Sequence, residues 1–148
     1  MKQVVYGKTG KSITRLGFGV LRLPSEIRGK QIVYDEEKSV EVIRHAIDAG
    51  INYFDTAPSY CNQRSQPILG EAIRGRRGQL LLSTKFDTAD PDLQGQFERS
   101  LKELDTDHID FYHFWSMQLD YFKEQGLAPG GPLDQMTALK EQGLIGHI

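Results

Sequence analysis

The 148-residue sequence has a single cysteine, Cys61, so no intrachain disulfide can brace it. That fits a reducing compartment. Neither charge is in excess: 18 Lys and Arg stand against 20 Asp and Glu, and the formal net charge is −2. The basic footprint that a nucleic-acid partner requires is missing. No apolar run approaches the ~18 residues of a membrane span. The start, Met1-Lys2-Gln3-Val4-Val5, has no signal-peptide pattern. These absences point to a cytoplasmic protein with no nucleic-acid and no membrane partner. No linker or low-complexity segment divides the chain, so residues 1–148 read as one domain. Hydrophobic residues make up 39%, enough for one real core.

What is present alternates between two periods. Val4-Val5-Tyr6 and Ser12-Ile13-Thr14-Arg15-Leu16 flank Lys8-Thr9-Gly10 and predict a β-hairpin with Gly10 in its turn. Leu16-Gly17-Phe18-Gly19-Val20 reads as a buried strand. Asp35 is placed to cap a helix, with Glu36 and Glu37 in its first turn, Val40, Ile43 and Ile47 on its apolar face and Gly50 at its end. A second strand covers residues 51–56, and Ile68, Leu69, Ala72 and Ile73 mark the next helix. A third strand covers 79–86. Asp90 with Pro91 predicts the start of a helix striped by Leu93, Phe97, Leu101 and Leu104. A fourth strand covers 108–115. A glycine-rich loop over 126–132 leads to a helix through Met136 and Leu139, which Gly143 ends, and 144–148 begins a fifth strand.

Strands alternating with helices, and apolar almost throughout, predict an α/β fold with a parallel sheet covered by helices. A closed (β/α)₈ TIM barrel takes ~250 residues. The expectation is therefore a partial (β/α)₈ TIM barrel: about four β/α units, the start of strand five and an N-terminal β-hairpin. Such a chain is either a fragment or a truncated gene product. A cut barrel has two free sheet edges and leaves inward residues such as Phe18, Phe111 and Trp115 without an opposing layer. That predicts an open apolar face, and either a homo-oligomer formed through it or a poorly stable chain that aggregates.

Two motifs fail on inspection. Gly10-Lys11-Ser12 ends like a phosphate-binding P-loop, but Val5 stands where the first glycine belongs and a strand follows instead of a helix. Gly17-Phe18-Gly19 opens like a dinucleotide fingerprint, but Arg22 holds the third glycine position.

Barrel enzymes place their chemistry at the carboxyl ends of the strands. Strand two ends in Asp55-Thr56-Ala57 and runs into a loop with Tyr60; strand three ends near Lys85. Taken singly, Asp55 reads as a turn or cap residue, Tyr60 as a surface aromatic and Lys85 as a solvated strand end. Taken together they form a proton-donor set. A tyrosine is a poor acid at neutral pH. An ammonium beside it favours the phenolate it leaves behind, and a carboxylate holds the ammonium in place.

The stretch Gly50-Ile51-Asn52-Tyr53-Phe54-Asp55-Thr56-Ala57-Pro58-Ser59-Tyr60 resembles an aldo-keto reductase signature. So do Ser65 with Leu69-Gly70-Glu71-Ala72, Ser83-Thr84-Lys85, Ser100-Leu101 through Ile109-Asp110-Phe111-Tyr112, and residues 143–148, all in family order. The resemblance implies Asp55, Tyr60 and Lys85 as three members of a catalytic tetrad. It implies NADP or NAD as cofactor and a small-molecule carbonyl, an aldehyde or ketone, as substrate. It also implies that most adenosine and phosphate contacts lie on strands five to eight. Gly19, Val20 and Leu21, with Asp55, are the candidate nicotinamide contacts in this half; no metal is implied.

Three departures stand out. Trp115 occupies the family's histidine position, five residues after Asp110. His113, two residues earlier, shares its face and is expected about 6–7 Å deeper. There it would be a neutral imidazole hydrogen-bonded to Tyr53 or Ser83, with Trp115 as an apolar wall at the mouth. A direct catalytic role for His113 would require a bulge that shifts the register. Gln66 and Gly146 stand where the family often carries glutamate and arginine. The missing cofactor half and Trp115 motivate the alternative: a non-catalytic half-barrel, an assembly or interaction unit or a decayed gene product.

Overall fold

The computed structural model describes residues 1–148. It opens on the expected hairpin, β1 (Gln3–Val5) and β2 (Ser12–Thr14). A two-residue strand β3 (Phe18–Gly19) follows, then a second hairpin, β4 (Ser25–Arg28) and β5 (Gln31–Tyr34). From there helices and strands alternate: α1 (Glu36–Asp48), β6 (Tyr53–Asp55), the single turn α2 (Tyr60–Gln63), α3 (Ser65–Ile73), β7 (Leu81–Asp87), α4 (Leu93–Glu103) and β8 (Ile109–Trp115). The short α5 (Leu119–Tyr121), α6 (Pro132–Glu141) and β9 (Ile145–His147) complete it. Strands β3, β6, β7, β8 and β9 form one parallel sheet in chain order, the arrangement of consecutive strands in a (β/α)₈ barrel. No helix is long and apolar enough to cross a membrane.

The ends of α1 follow the sequence signals. Asp35 accepts a hydrogen bond from the Lys38 amide (3.0 Å), and Gly50 takes φ 89° just past the helix, where a side chain would be strained. The start of α4 differs from expectation by two residues. Asp90 spends its carboxylate on the Asp92 amide (3.0 Å), and Asp92 is the cap, accepting from the Gly95 amide (2.9 Å). Asp and Asn make such local turns as readily as helix caps.

In-register neighbours of a parallel sheet share a face. Phe54, Leu82, Phe86 and Tyr112 face the helices and are buried with Ile43, Ile68, Leu69 and Phe97. Phe18 pairs with Phe54 and belongs to that face, its ring 5.7 Å from that of Phe54, not to the lumen as expected. Phe111 does face the lumen but is only 2% exposed. The first hairpin folds under the sheet and brings the Tyr6 ring to 5.1 Å from Phe111; Tyr53 and His147 close in at 5.7 and 5.3 Å. The floor of the lumen is therefore covered, and the expected open apolar face is absent at Phe18 and Phe111. Asn52 pins the hairpin: its side chain accepts from the Thr14 amide (2.7 Å) and donates to the Ser12 carbonyl (3.0 Å).

Candidate active site

The register sets Asp55 opposite Ser83 and Lys85 opposite His113 on the concave side of the sheet. The Lys85 side chain is 14% exposed, so its charge needs partners. It has three. Its ammonium donates to Asp55 Oδ2 (2.8 Å), to Asp55 Oδ1 (2.9 Å) and to the Thr56 carbonyl (2.6 Å). The Ser83 hydroxyl also donates to Asp55 Oδ1, at 2.8 Å. The ammonium stands 5.0 Å from the centre of the Tyr60 ring, within cation–π range. Asp55, Lys85 and Tyr60 are thus brought together as the sequence predicts. Lys85 faces the Tyr60 ring without a hydrogen bond to its hydroxyl, because its three donors are spent.

Tyr60 opens a strained turn. Cys61, Asn62 and Gln63 all take left-handed backbone angles, φ 53°, 53° and 66°. Such angles cost non-glycine residues about 1–2 kcal/mol each. Two contacts hold the turn: the buried Cys61 thiol points at the Leu21 carbonyl (3.3 Å), and the Asn62 amide donates to the Ile32 carbonyl on β5 (3.3 Å). Backbone strain of this kind clusters at functional sites.

Trp115 packs edge-on against Tyr60, ring centres 5.9 Å apart. It takes the upper position on β8, as expected. His113 lies two residues before Trp115 on the same face, its backbone in register with Lys85. Ser83 is not its partner, since that hydroxyl is committed to Asp55; nor does Tyr53 bond to it, and its ring instead lies parallel to Phe111 at 6.5 Å. Burial, and then the nearby Lys85 charge, hold the His113 pKa below the ordinary histidine value, with Asp55 opposing. The imidazole is neutral at pH 7. The depressed pKa means the unfolded chain binds this proton more readily. His113 therefore destabilises the fold as pH drops below about 6.5 toward its folded pKa. A melting series across that window should fall with pH, and His113→Gln should flatten the slope; a slope unchanged in the variant would remove His113 as its source.

Of the candidate cofactor contacts, Gly19 is open: a Cβ built on it would meet nothing within 4 Å. Leu21 is 43% exposed beside it. Val20 is corrected to a core residue. Its side chain is fully buried, its amide donates to the Asp55 carbonyl (2.8 Å), and its carbonyl accepts from Ser65 Oγ (2.7 Å).

Residues 15–148 match the model of the Aldo/keto reductase family. The chain belongs to the aldo/keto reductase family. Across 76% of its length it is 36% identical to the aldo-keto reductase YhdN of Bacillus subtilis (strain 168). Across 98% it is 30% identical to the uncharacterized oxidoreductase YqkF of the same organism. It spans 37% and 47% of those two relatives' own lengths. Among solved structures it is similar to the thermostable aldo-keto reductase Tm1743, with TM-score 0.80 and 29% identity, over 98% of this chain and 52% of that one. The holo form of AKR11C1 from Bacillus halodurans gives TM-score 0.79 and 27% identity, over 98% and 48%. The parallel sheet is thus part of an aldo/keto reductase (β/α)₈ barrel.

The fold accounts for two of the chain's departures from the family pattern. A side chain at Gly146 would put its Cβ 2.6 Å from the Asp110 carbonyl oxygen, so the close approach of β9 to β8 excludes anything larger. Gln66 is buried and bridges two elements: its Nε2 donates to Glu103 Oε2 on α4 (2.7 Å), and its Oε1 accepts from Thr84 Oγ1 on β7 (2.7 Å). Glutamate there would set a second carboxylate against Glu103. Gln66→Glu should therefore destabilise the protein by about 1–3 kcal/mol at pH 7. Lowering the pH toward 4.5 should recover part of that loss, which urea unfolding at both pH values would read.

Proposed function

We propose that the intact protein reduces an aldehyde or ketone with NADPH or NADH, and that Tyr60 donates the proton. The observation that carries this reading is the Lys85 ammonium, fixed by both Asp55 oxygens and the Thr56 carbonyl and held 5.0 Å from the Tyr60 ring. A carbonyl becomes an alcohol when its carbon gains a hydride and its oxygen a proton. When bound, the nicotinamide supplies the hydride. The open face of Gly19 and the exposed side chain of Leu21, at the end of β3 beside Asp55, fit its approach.

The chain's own residues do the rest. The Tyr60 hydroxyl gives its proton to the carbonyl oxygen. The phenolate left behind is stabilised by the positive charge of Lys85, which Asp55 holds in place. Trp115 packs edge-on against Tyr60 and backs the phenol ring on that side. The neutral imidazole of His113, on the lumen side of β8 level with Lys85, adds no competing positive charge.

One observation favours a second reading, a non-catalytic assembly unit: the indole at position 115 brings no imidazole donor to the carbonyl. A single assay separates the two. Intact protein with NADPH and a panel of simple aldehydes and ketones should consume the cofactor only when a carbonyl is present. No carbonyl-dependent consumption of NADPH or NADH across the panel would favour the assembly unit.

A further inference from the structure

The geometry points to Ser83 as a positioning residue that frees one donor of Lys85 for Tyr60. The inference rests on the proton-donor reading of Tyr60. A lysine ammonium has three hydrogens, and Lys85 spends all three, on Asp55 Oδ1, Asp55 Oδ2 and the Thr56 carbonyl. None is left for the Tyr60 oxygen, although that oxygen becomes an anion when its proton leaves. One of the three contacts must open for the ammonium to reach it.

The contacts are not equivalent. Asp55 Oδ2 and the Thr56 carbonyl are at 2.8 and 2.6 Å, whereas Oδ1 is the longest at 2.9 Å. Oδ1 alone has a second donor, the Ser83 hydroxyl at 2.8 Å. If Lys85 releases Oδ1, that oxygen keeps a hydrogen bond. If it releases Oδ2, that oxygen is left with no donor from the chain. Ser83 is fully buried and in register with Asp55, so its hydroxyl is aimed at the carboxylate by the strand pairing itself. Its role is to make the Lys85–Oδ1 contact dispensable, so that one N–H can turn to the forming phenolate while Asp55 keeps the cation in place.

The test uses intact protein with NADPH and an aldehyde, in Ser83→Ala, Ser83→Cys and Ser83→Thr variants. Cysteine fills nearly the same space but donates poorly; threonine keeps the hydroxyl. Ser83→Ala and Ser83→Cys should lower kcat about tenfold, roughly the worth of one hydrogen bond in the transition state. KM should stay unchanged, and the alkaline limb of the kcat–pH profile should move to higher pH because the phenolate is less well stabilised. Ser83→Thr should recover most of the loss. If Ser83→Ala fails to fold, Ser83→Cys carries the test. An unchanged kcat and pH profile in Ser83→Cys, or a rise in KM at constant kcat, overturns the inference. Tyr60→Phe is measured in parallel. If it is inactive while the Ser83 variants behave as wild type, only the role of Ser83 is wrong. If it turns over normally, the proton-donor reading fails and the role of Ser83 with it.

Discussion

Replacing Tyr60 by phenylalanine should lower carbonyl turnover by about 10²–10⁴-fold, the usual worth of a positioned general acid. The fold should not change. The Tyr60 hydroxyl makes no hydrogen bond to the rest of the chain, and the phenylalanine ring keeps both neighbours, the Trp115 edge and the Lys85 ammonium. A change that removes no buried contact is usually worth within about 0.5 kcal/mol of stability. The signature is therefore an activity loss without a stability loss. Melting curves of wild type and variant should superimpose while kcat/KM collapses. Comparable losses of both would mean that the hydroxyl is structural and that another group supplies the proton.

The largest stability effect is expected at Asp110, which does no chemistry in this account. Its side chain is 6% exposed and lies at the start of β8. One carboxylate oxygen accepts from both Arg77 Nη2 (2.8 Å) and the Leu82 amide of β7 (2.9 Å). Arg77 is itself bound to Thr106 Oγ1, the Leu80 carbonyl and the His108 carbonyl, so its guanidinium cannot swing out to water without breaking those bonds. Asp110→Ala leaves a largely buried cation unpaired and a strand amide without an acceptor. Breaking a buried pair from one side costs about 3–5 kcal/mol, a large share of the 5–15 kcal/mol that holds a typical domain together. Asp110→Asn keeps an acceptor for the Leu82 amide and should cost less. Chemical denaturation of both variants checks the order, and equal stability of wild type and Asp110→Ala would show that the pair contributes nothing.

Much of this architecture could be read from local signals with a physical cause. The α1 cap at Asp35, the stop at Gly50 and the four central strands follow from residues whose backbone preferences admit few alternatives. The β4–β5 hairpin was legible but missed: Ile27 and Ile32 pair across Gly29-Lys30, with Gly29 at φ 63°, a two-residue turn that glycine favours. Other features were beyond reading, because they depend on what crosses from one element to another. Phe18 carries no mark of the face it takes until its register with Phe54 is known. Tyr6 is an ordinary strand aromatic until the hairpin folds under Phe111. Asp55, Tyr60 and Lys85 were legible as a set because all three fall at or just beyond the carboxyl ends of adjacent strands. The surroundings of His113 were not, since its ring lies parallel to Phe111 and Ser83 is committed to Asp55, contacts that no local signal marks. Ser83 and Asp110 lay in plain view, but as a hydroxyl within a strand and an acid at its start. Only the distances reveal that both are committed to buried charges.

The most direct test of the central claim follows the two hydrogens that a carbonyl gains. Intact protein is given an aldehyde and NADPH carrying deuterium at the transferable position of the nicotinamide, and the alcohol product is analysed by mass spectrometry. The account predicts one deuterium on the former carbonyl carbon with wild-type protein, and product formation slowed by about 10²–10⁴-fold in Tyr60→Phe. Alcohol formed without deuterium, or labelled alcohol formed equally fast by wild type and Tyr60→Phe, would contradict it.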